Sequence, residues 1–293
     1  MTVLEAMTWA EGRLKSSAGE KRTHAHNAKI DVQILLAAVL EKPTSYVFSH
    51  FDQALTQTQQ AQFEALIEGR TRHEPVAYLL GEKMFYGRPF FVDPRTLIPR
   101  PETELLVEEA LGAIRENTVI IDVGTGSGAI AVTLAAEAGQ PIIATDISIE
   151  TLLIAKRNAE VNHVSHLISF LHGDLLQPYF EKNITHSGPT LILANLPYLP
   201  NNYALSMDPD VTKFEPALAL YGGEDGLDLY RALLKQLVEH RNRFRDLVLL
   251  FEIDPSAQRA LPLIVKNIFP SAQVSVTHDL SGQARLLRAD VMA

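Results

Sequence analysis

Between residues 119 and 291 the chain alternates short, continuously apolar runs with amphipathic ones, and few folds accept that pattern. "VIIDVG", "IIATDI", "ISFLHGD", "LILANLPY" and "LVLLFEI" each begin as a strand-length block with no polar face. Helical stretches separate them: "AIAVTLAAEA", "SIETLLIAKRNAEVN", one near 227–240 and one near 256–268. Strands that are apolar on both sides need cover on both sides, so the alternation predicts a parallel sheet with helices on each face. The last two runs, "QVSVTH" and "ARLLRAD", are joined by "DLSGQ" and predict an antiparallel pair at one edge.

Residues 1–75 follow a different period. "TVLEAMTWAEGRLKSS", "DVQILLAAVL" and "TQQAQFEALIEGRTRH" place apolar residues three and four apart, which predicts a small helical bundle. Pro43 and the polar stretch from Ser16 to His26 predict breaks between its helices. His24 and His26 in that stretch have no nearby third ligand and read as solvated. Two aromatic runs around Gly87-Arg88-Pro89 predict a hairpin. The expected organisation is therefore a helical domain over 1–75, a hairpin linker over 76–95 and an α/β domain over 96–293.

The formal charge of −9 is divided as −1 over residues 1–75 and −8 over the rest, so no basic field draws nucleic acid or acidic membranes. With no cysteine, disulfides and thiolate chemistry are excluded. No apolar run approaches the roughly 20 residues needed to span a bilayer. A soluble, cytoplasmic protein without a bound metal is expected.

"IIDVGTGSGAIAV" sets Gly124, Gly126 and Gly128 between a strand and a helix, with Thr125 and Ser127 interleaved. Glycines allow a tight turn with positive φ, and the helix N-terminus offers free N–H donors to a ligand. Gly124, Gly126 and Ala129 also satisfy the dinucleotide fingerprint. Asp146 ends the next strand, where its carboxylate can accept from both ribose hydroxyls. This pattern suits an NAD site and an S-adenosylmethionine site equally. Asp174, after the third strand, is placed either to accept from an adenine amino group or to cap the following helix. Asp122, inside the first strand, is placed to anchor the loop or to meet a ligand ammonium group.

"ANLPY" then falls at the carboxyl end of the fourth strand, where ligands bind in open α/β sheets. A planar NH₂ nitrogen has a delocalised lone pair. To attack a methyl group it must be held in line by acceptors for its two hydrogens. The Asn195 side-chain oxygen and the Leu196 main-chain oxygen could supply them. Pro197 stiffens the turn and Tyr198 offers a flat face.

These blocks resemble the HemK/PrmC family, which methylates the glutamine of the Gly-Gly-Gln motif in class 1 peptide-chain release factors. The similarity runs through "FYGRPFFVDPRTLIPRPETELLVE", "DVGTGSGAIAV", "ATDIS", "GDLL", "ANLPYL", "KFEPALALYGGEDGLDLYRALL" and "DLSGQARLLRA". The resemblance implies a Rossmann-like class I methyltransferase domain behind a helical domain that helps to bind the release factor, with S-adenosylmethionine as cofactor. By the same resemblance Gly124, Thr125, Gly126, Ser127 and Gly128 line its methionine part and Asp146 its ribose. Asp174 and Leu175 lie beside adenine, and Asn195 also borders the cofactor. Asn195, Leu196, Pro197 and Tyr198 form the glutamine pocket, with Asn195, Pro197 and Tyr198 as the catalytic set. "LIPRPE", near Pro99 and Arg100, covers the cofactor. A monomer with a protein substrate and no direct nucleic-acid contact is expected.

One position departs from the family: Leu196 stands where its first proline belongs. Asn-Leu-Pro-Tyr is common in nucleic-acid adenine methyltransferases, so methylation of an adenine or cytosine amine is the alternative. An NAD-dependent oxidoreductase explains the glycine loop but not Asn195–Tyr198.

Overall fold

The computed structural model describes residues 1–17, 22–182, 188–201 and 208–292. The chain divides into two compact units: Met1–Gly81 with Asp208–Phe214, and Glu82–Met207 with Glu215–Ala293.

The first unit is helical. It comprises α1 (Val3–Ser17), α2 (Arg22–Leu40), α3 (Thr44–Val47), α4 (Gln57–Thr71) and α5 (Val76–Leu80). Val3, Ala10, Leu35, Leu36, Phe63 and Ile67 form its core. α4 starts at a capping box in which Thr56 and Gln59 satisfy each other's backbone amides. α2 begins at Arg22, inside the polar stretch read as a break; the side chains of His24 and His26 lie outside the described residues. α5 occupies the start of the expected linker, and Gly81, at φ +68°, ends it. The segment 208–214 joins this unit through Asp210, which pairs with Arg70 at 2.7 Å while Arg70 also pairs with Asp31 at 2.8 Å.

The second unit opens with the hairpin of β1 (Glu82–Phe85) and β2 (Arg88–Phe91). Tyr86 and Gly87 both have positive φ, as a two-residue turn of matching twist requires. There follow α6 (Glu104–Ala113), β3 (Val119–Val123), α7 (Ala129–Ala138), β4 (Ile142–Asp146), α8 (Ile149–Val161), β5 (Ile168–His172), α9 (Gln177–Glu181) and β6 (Thr190–Ala194). After α10 (Pro209–Phe214), which belongs to the first unit, come α11 (Asp228–Glu239), β7 (Leu247–Glu252), α12 (Ala260–Ile268), β8 (Gln273–His278) and β9 (Ala284–Val291).

The sheet runs in the order β5-β4-β3-β6-β7-β9-β8, with β3 to β7 parallel and β9 and β8 antiparallel at one edge. Its two faces carry separate apolar clusters. One includes Leu106, Val107, Ile130 and Leu134 of α6 and α7; the other includes Tyr230, Leu233 and Leu237 of α11 and Leu261 of α12. This doubly wound arrangement is the fold expected from the alternation of runs. Strand order reverses beside β3, so a crevice forms outside the carboxyl ends of β3 and β6. Among the described residues no helix is long and apolar enough to cross a membrane.

Candidate functional site

A cavity of about 370 Å³ occupies that crevice. Gly124, Thr125, Gly126 and Ser127 line one part of it. Gly124 (φ +73°), Gly126 (φ +56°) and Gly128 (φ +82°) all take the left-handed conformation, and α7 starts immediately after them. Gly124 is constrained by space as well, since a Cβ there would stand 2.9 Å from the Leu196 side chain.

Backbone and carboxylate together hold the loop. The amides of Gly124 and Thr125 both donate to the Thr145 carbonyl at 2.9 Å. Asp146 accepts from the Gly126 amide and, with its other oxygen, from the Ser148 amide, each at 2.9 Å. Burial raises the Asp146 pKa while these amides oppose the shift. Asp146 therefore shapes the loop and also lines the cavity. Asp122 takes the anchoring role: it accepts from the Thr125 hydroxyl at 2.6 Å, is fully buried and does not border the cavity. Burial pushes its carboxyl up to about 7.

Asp174 and Leu175 border the same cavity. Asp174 does not cap α9, which has no side-chain cap; its carboxylate accepts from the Gln236 amide at 3.5 Å. Leu175 adopts φ +49°, a strained conformation for a branched side chain and one that clusters at ligand sites.

Asn195 follows the last residue of β6 and lines the cavity with Leu196 and Pro197. Its Nδ2 donates to the Thr103 hydroxyl at 3.2 Å, so Oδ1 is the atom left to accept. The Leu196 amide donates to the Tyr230 hydroxyl at 3.3 Å, and that hydroxyl donates to the Glu252 carbonyl at 2.5 Å. Tyr198 does not line the cavity. Its ring packs on the apolar cluster beneath, and its phenol meets the Glu252 carboxylate. Burial, with that carboxylate nearby, raises the phenol's pKa.

Four features escaped the sequence reading. Arg100 forms an ion pair with Glu215, whose second oxygen accepts from the Ile98 amide at 3.3 Å. The pair ties "LIPR" to "FEP", and both segments border the cavity. Gly226, at φ +79°, passes so close to the loop that a Cβ would lie 2.0 Å from the Tyr198 carbonyl oxygen. "YGGEDG" is therefore a backbone-to-backbone support for Asn195–Tyr198. Asn158, buried on α8, donates to the Ser127 carbonyl at 2.8 Å and accepts from the Phe91 amide at 2.7 Å, linking hairpin to glycine loop. Thr103, Tyr230 and Glu252 brace the tetrapeptide. Only a polar residue inside an apolar run, as in "LVLLFEI", could have signalled such positions.

Residues 5–81 match the PrmC N-terminal domain, and residues 101–196 match the ribosomal protein L11 methyltransferase (PrmA) family. A release factor glutamine methyltransferase from Bacillus anthracis is 33% identical over 99% of this chain and 100% of that protein. The chain belongs to the release factor glutamine methyltransferase family. A relative of the same description from Enterococcus faecalis is 36% identical over 82% of this chain and 84% of its own. Among solved structures, the hMettl16 catalytic domain in complex with the MAT2A 3′UTR hairpin 6 aligns with a TM-score of 0.53. It is 16% identical over 81% of this chain and 83% of that one, a likeness of fold alone. Family membership places a Rossmann-like methyltransferase unit behind a helical domain, as the sequence blocks implied.

Proposed function

We propose that this chain transfers a methyl group from S-adenosylmethionine to the side-chain amide nitrogen of the Gly-Gly-Gln glutamine in a class 1 release factor. The observation that carries the reading is the Asn195 carboxamide, fixed through its nitrogen on Thr103 and left to accept at the rim of a glycine-lined cavity.

The cavity residues fit the cofactor. The glycine turn leaves room for a ligand against the backbone, Asp146 and Asp174 present carboxylates, and Leu175 and Leu218 supply apolar walls. The cofactor, when bound, supplies an electrophilic methyl group on a sulfonium. The protein's part is orientation. Asn195 Oδ1 and the Leu196 carbonyl accept the two amide hydrogens, which turns the glutamine nitrogen in line and localises electron density on it. Transfer would form one nitrogen–carbon bond as the methyl leaves the sulfonium, whose sulfur would become a neutral thioether, and the methylated nitrogen would then release one proton. Pro197 holds the turn, while Tyr198 holds it from below. The "LIPR" and "FEP" segments, joined by Arg100 and Glu215, border this space.

Residues 1–75 serve as the docking domain for the release factor, and the chain works as a cytoplasmic monomer. Methylation of a nucleic-acid amine has Asn-Leu-Pro-Tyr in its favour. It requires Lys/Arg contacts to phosphate, which a charge of −9 does not favour. Labelled methyl transfer to a purified release factor, mapped by mass spectrometry beside an adenine-containing oligonucleotide, tests the reading. Label on the Gly-Gly-Gln glutamine is expected; label on the oligonucleotide alone would overturn it.

A further inference from the structure

Glu252 ends β7, only 3% exposed, in an otherwise apolar strand. β7 runs parallel to β6 with Ala194 opposite Phe251, which sets Glu252 one residue further along, beside Asn195. Its contacts converge on the tetrapeptide. The Thr103 and Tyr198 hydroxyls lie close enough to its carboxylate to favour its charged form, and Thr103 in turn accepts from the Asn195 amide. Its carbonyl accepts from the Tyr230 hydroxyl, which takes the Leu196 amide. Asn195, Leu196 and Tyr198 are thus each linked to a single residue, directly or through one neighbour.

The carboxylate has no ion pair among the described residues, and its Oε2 has no hydrogen-bond partner there. Arg285, a cation whose charge acts on it, is bonded to Asp279. Burial pushes Glu252 up to about 7, with Glu102 adding to the rise and Thr103, Arg285 and Tyr198 opposing it. Burying a carboxylate without a cationic partner costs folding energy that a neutral residue of similar size avoids. Stability alone gives no reason for an acid here. The geometry of the loop does.

We propose that Glu252 is a positioning residue for methyl transfer, setting the orientation of the Asn195 carboxamide through Thr103 and the seat of the turn through Tyr198. The proposal rests on Asn195 acting as the acceptor for the substrate amide. Glu252 does not line the cavity, so this role runs through these neighbours.

The test uses the full chain and a purified release factor, with wild-type glutamine methylation established first in the same assay. If that control shows none, the functional reading fails, and the positioning role falls with it. Glu252→Ala is expected to lower kcat about 10- to 100-fold, the scale of a small misplacement of a reacting group. KM for the release factor and the affinity for S-adenosylhomocysteine should stay near wild type. Glu252→Gln, which keeps an acceptor oxygen at the same reach, should recover most of the lost rate. Thr103→Val should reproduce the kcat loss without touching Glu252, and Thr103→Ser should restore it. Combined with Glu252→Ala, Thr103→Val should add little, because both cut one relay. Wild-type kcat in Glu252→Ala overturns the proposal. If Glu252→Ala does not fold, wild-type kcat in Thr103→Val overturns it instead.

Discussion

The cavity has two walls built on different principles. The glycine loop is held mainly by main chain: its amides reach the Thr145 carbonyl and the Asp146 carboxylate, and its shape follows from three left-handed glycines. The Asn195–Tyr198 turn is held mainly by side chains from other elements, with Thr103, Tyr230 and Glu252 supplying the anchors. A main-chain cradle tolerates any side chain that leaves the glycines alone, and suits a ligand that never changes. A side-chain brace can fix one atom, here a carboxamide oxygen, against a particular reacting group. The cofactor wall should therefore govern affinity and the substrate wall should govern rate.

The sharpest break of that comparison is Asn195→Ala. Removing one preorganised polar group of this kind costs about 2.7–4 kcal/mol at the transition state, or roughly 10²–10³ in kcat. S-adenosylhomocysteine affinity should be nearly unchanged, and steady-state kinetics with calorimetry on one preparation checks both. Near-wild-type turnover would remove Asn195 from the reaction.

Asp146→Ala should act on the other wall. It removes the cofactor's carboxylate partner and also frees the Gly126 and Ser148 amides. Each lost charge-assisted bond is worth roughly 1.5–3 kcal/mol, so titration should show affinity weaker by about tenfold to a hundredfold. Unchanged affinity would reduce Asp146 to a loop tether.

Leu196→Pro probes the departure from the family pattern, with the smallest effect. Proline lacks the amide that Leu196 donates to Tyr230 at 3.3 Å, a bond worth about 0.5–1.5 kcal/mol net. The Leu196 carbonyl stays in place. Glutamine methylation should persist within about tenfold, or ~1.4 kcal/mol. Loss of all glutamine activity, with adenine methylation by the parent, would place this chain's substrate outside the family.

The contrast between the walls also explains what could be read in advance. Strand alternation depends on local composition, so the sheet, its antiparallel edge and the glycine turn were visible in "VIIDVG" and its counterparts. Asn195 and Asp146 were visible because they end strands that the pattern had already placed. The brace was not. Thr103 and Asn195 are 92 residues apart, Arg100 and Glu215 are 115 apart, and no periodicity links either pair. Tyr198 illustrates the same limit: its type suggested an exposed stacking face, while its fold position turns the ring inward onto the core and the phenol onto Glu252. Direction of a side chain at a strand end is set by tertiary packing.

The central claim is that affinity and rate reside on separate walls, and the double variant Asp146→Ala/Asn195→Ala tests it most directly. Its affinity for S-adenosylhomocysteine, measured by calorimetry, should equal that of Asp146→Ala alone within the roughly 0.5 kcal/mol expected for independent sites. A further loss of affinity on adding Asn195→Ala would show that the substrate wall also grips the cofactor, and the separation would fail.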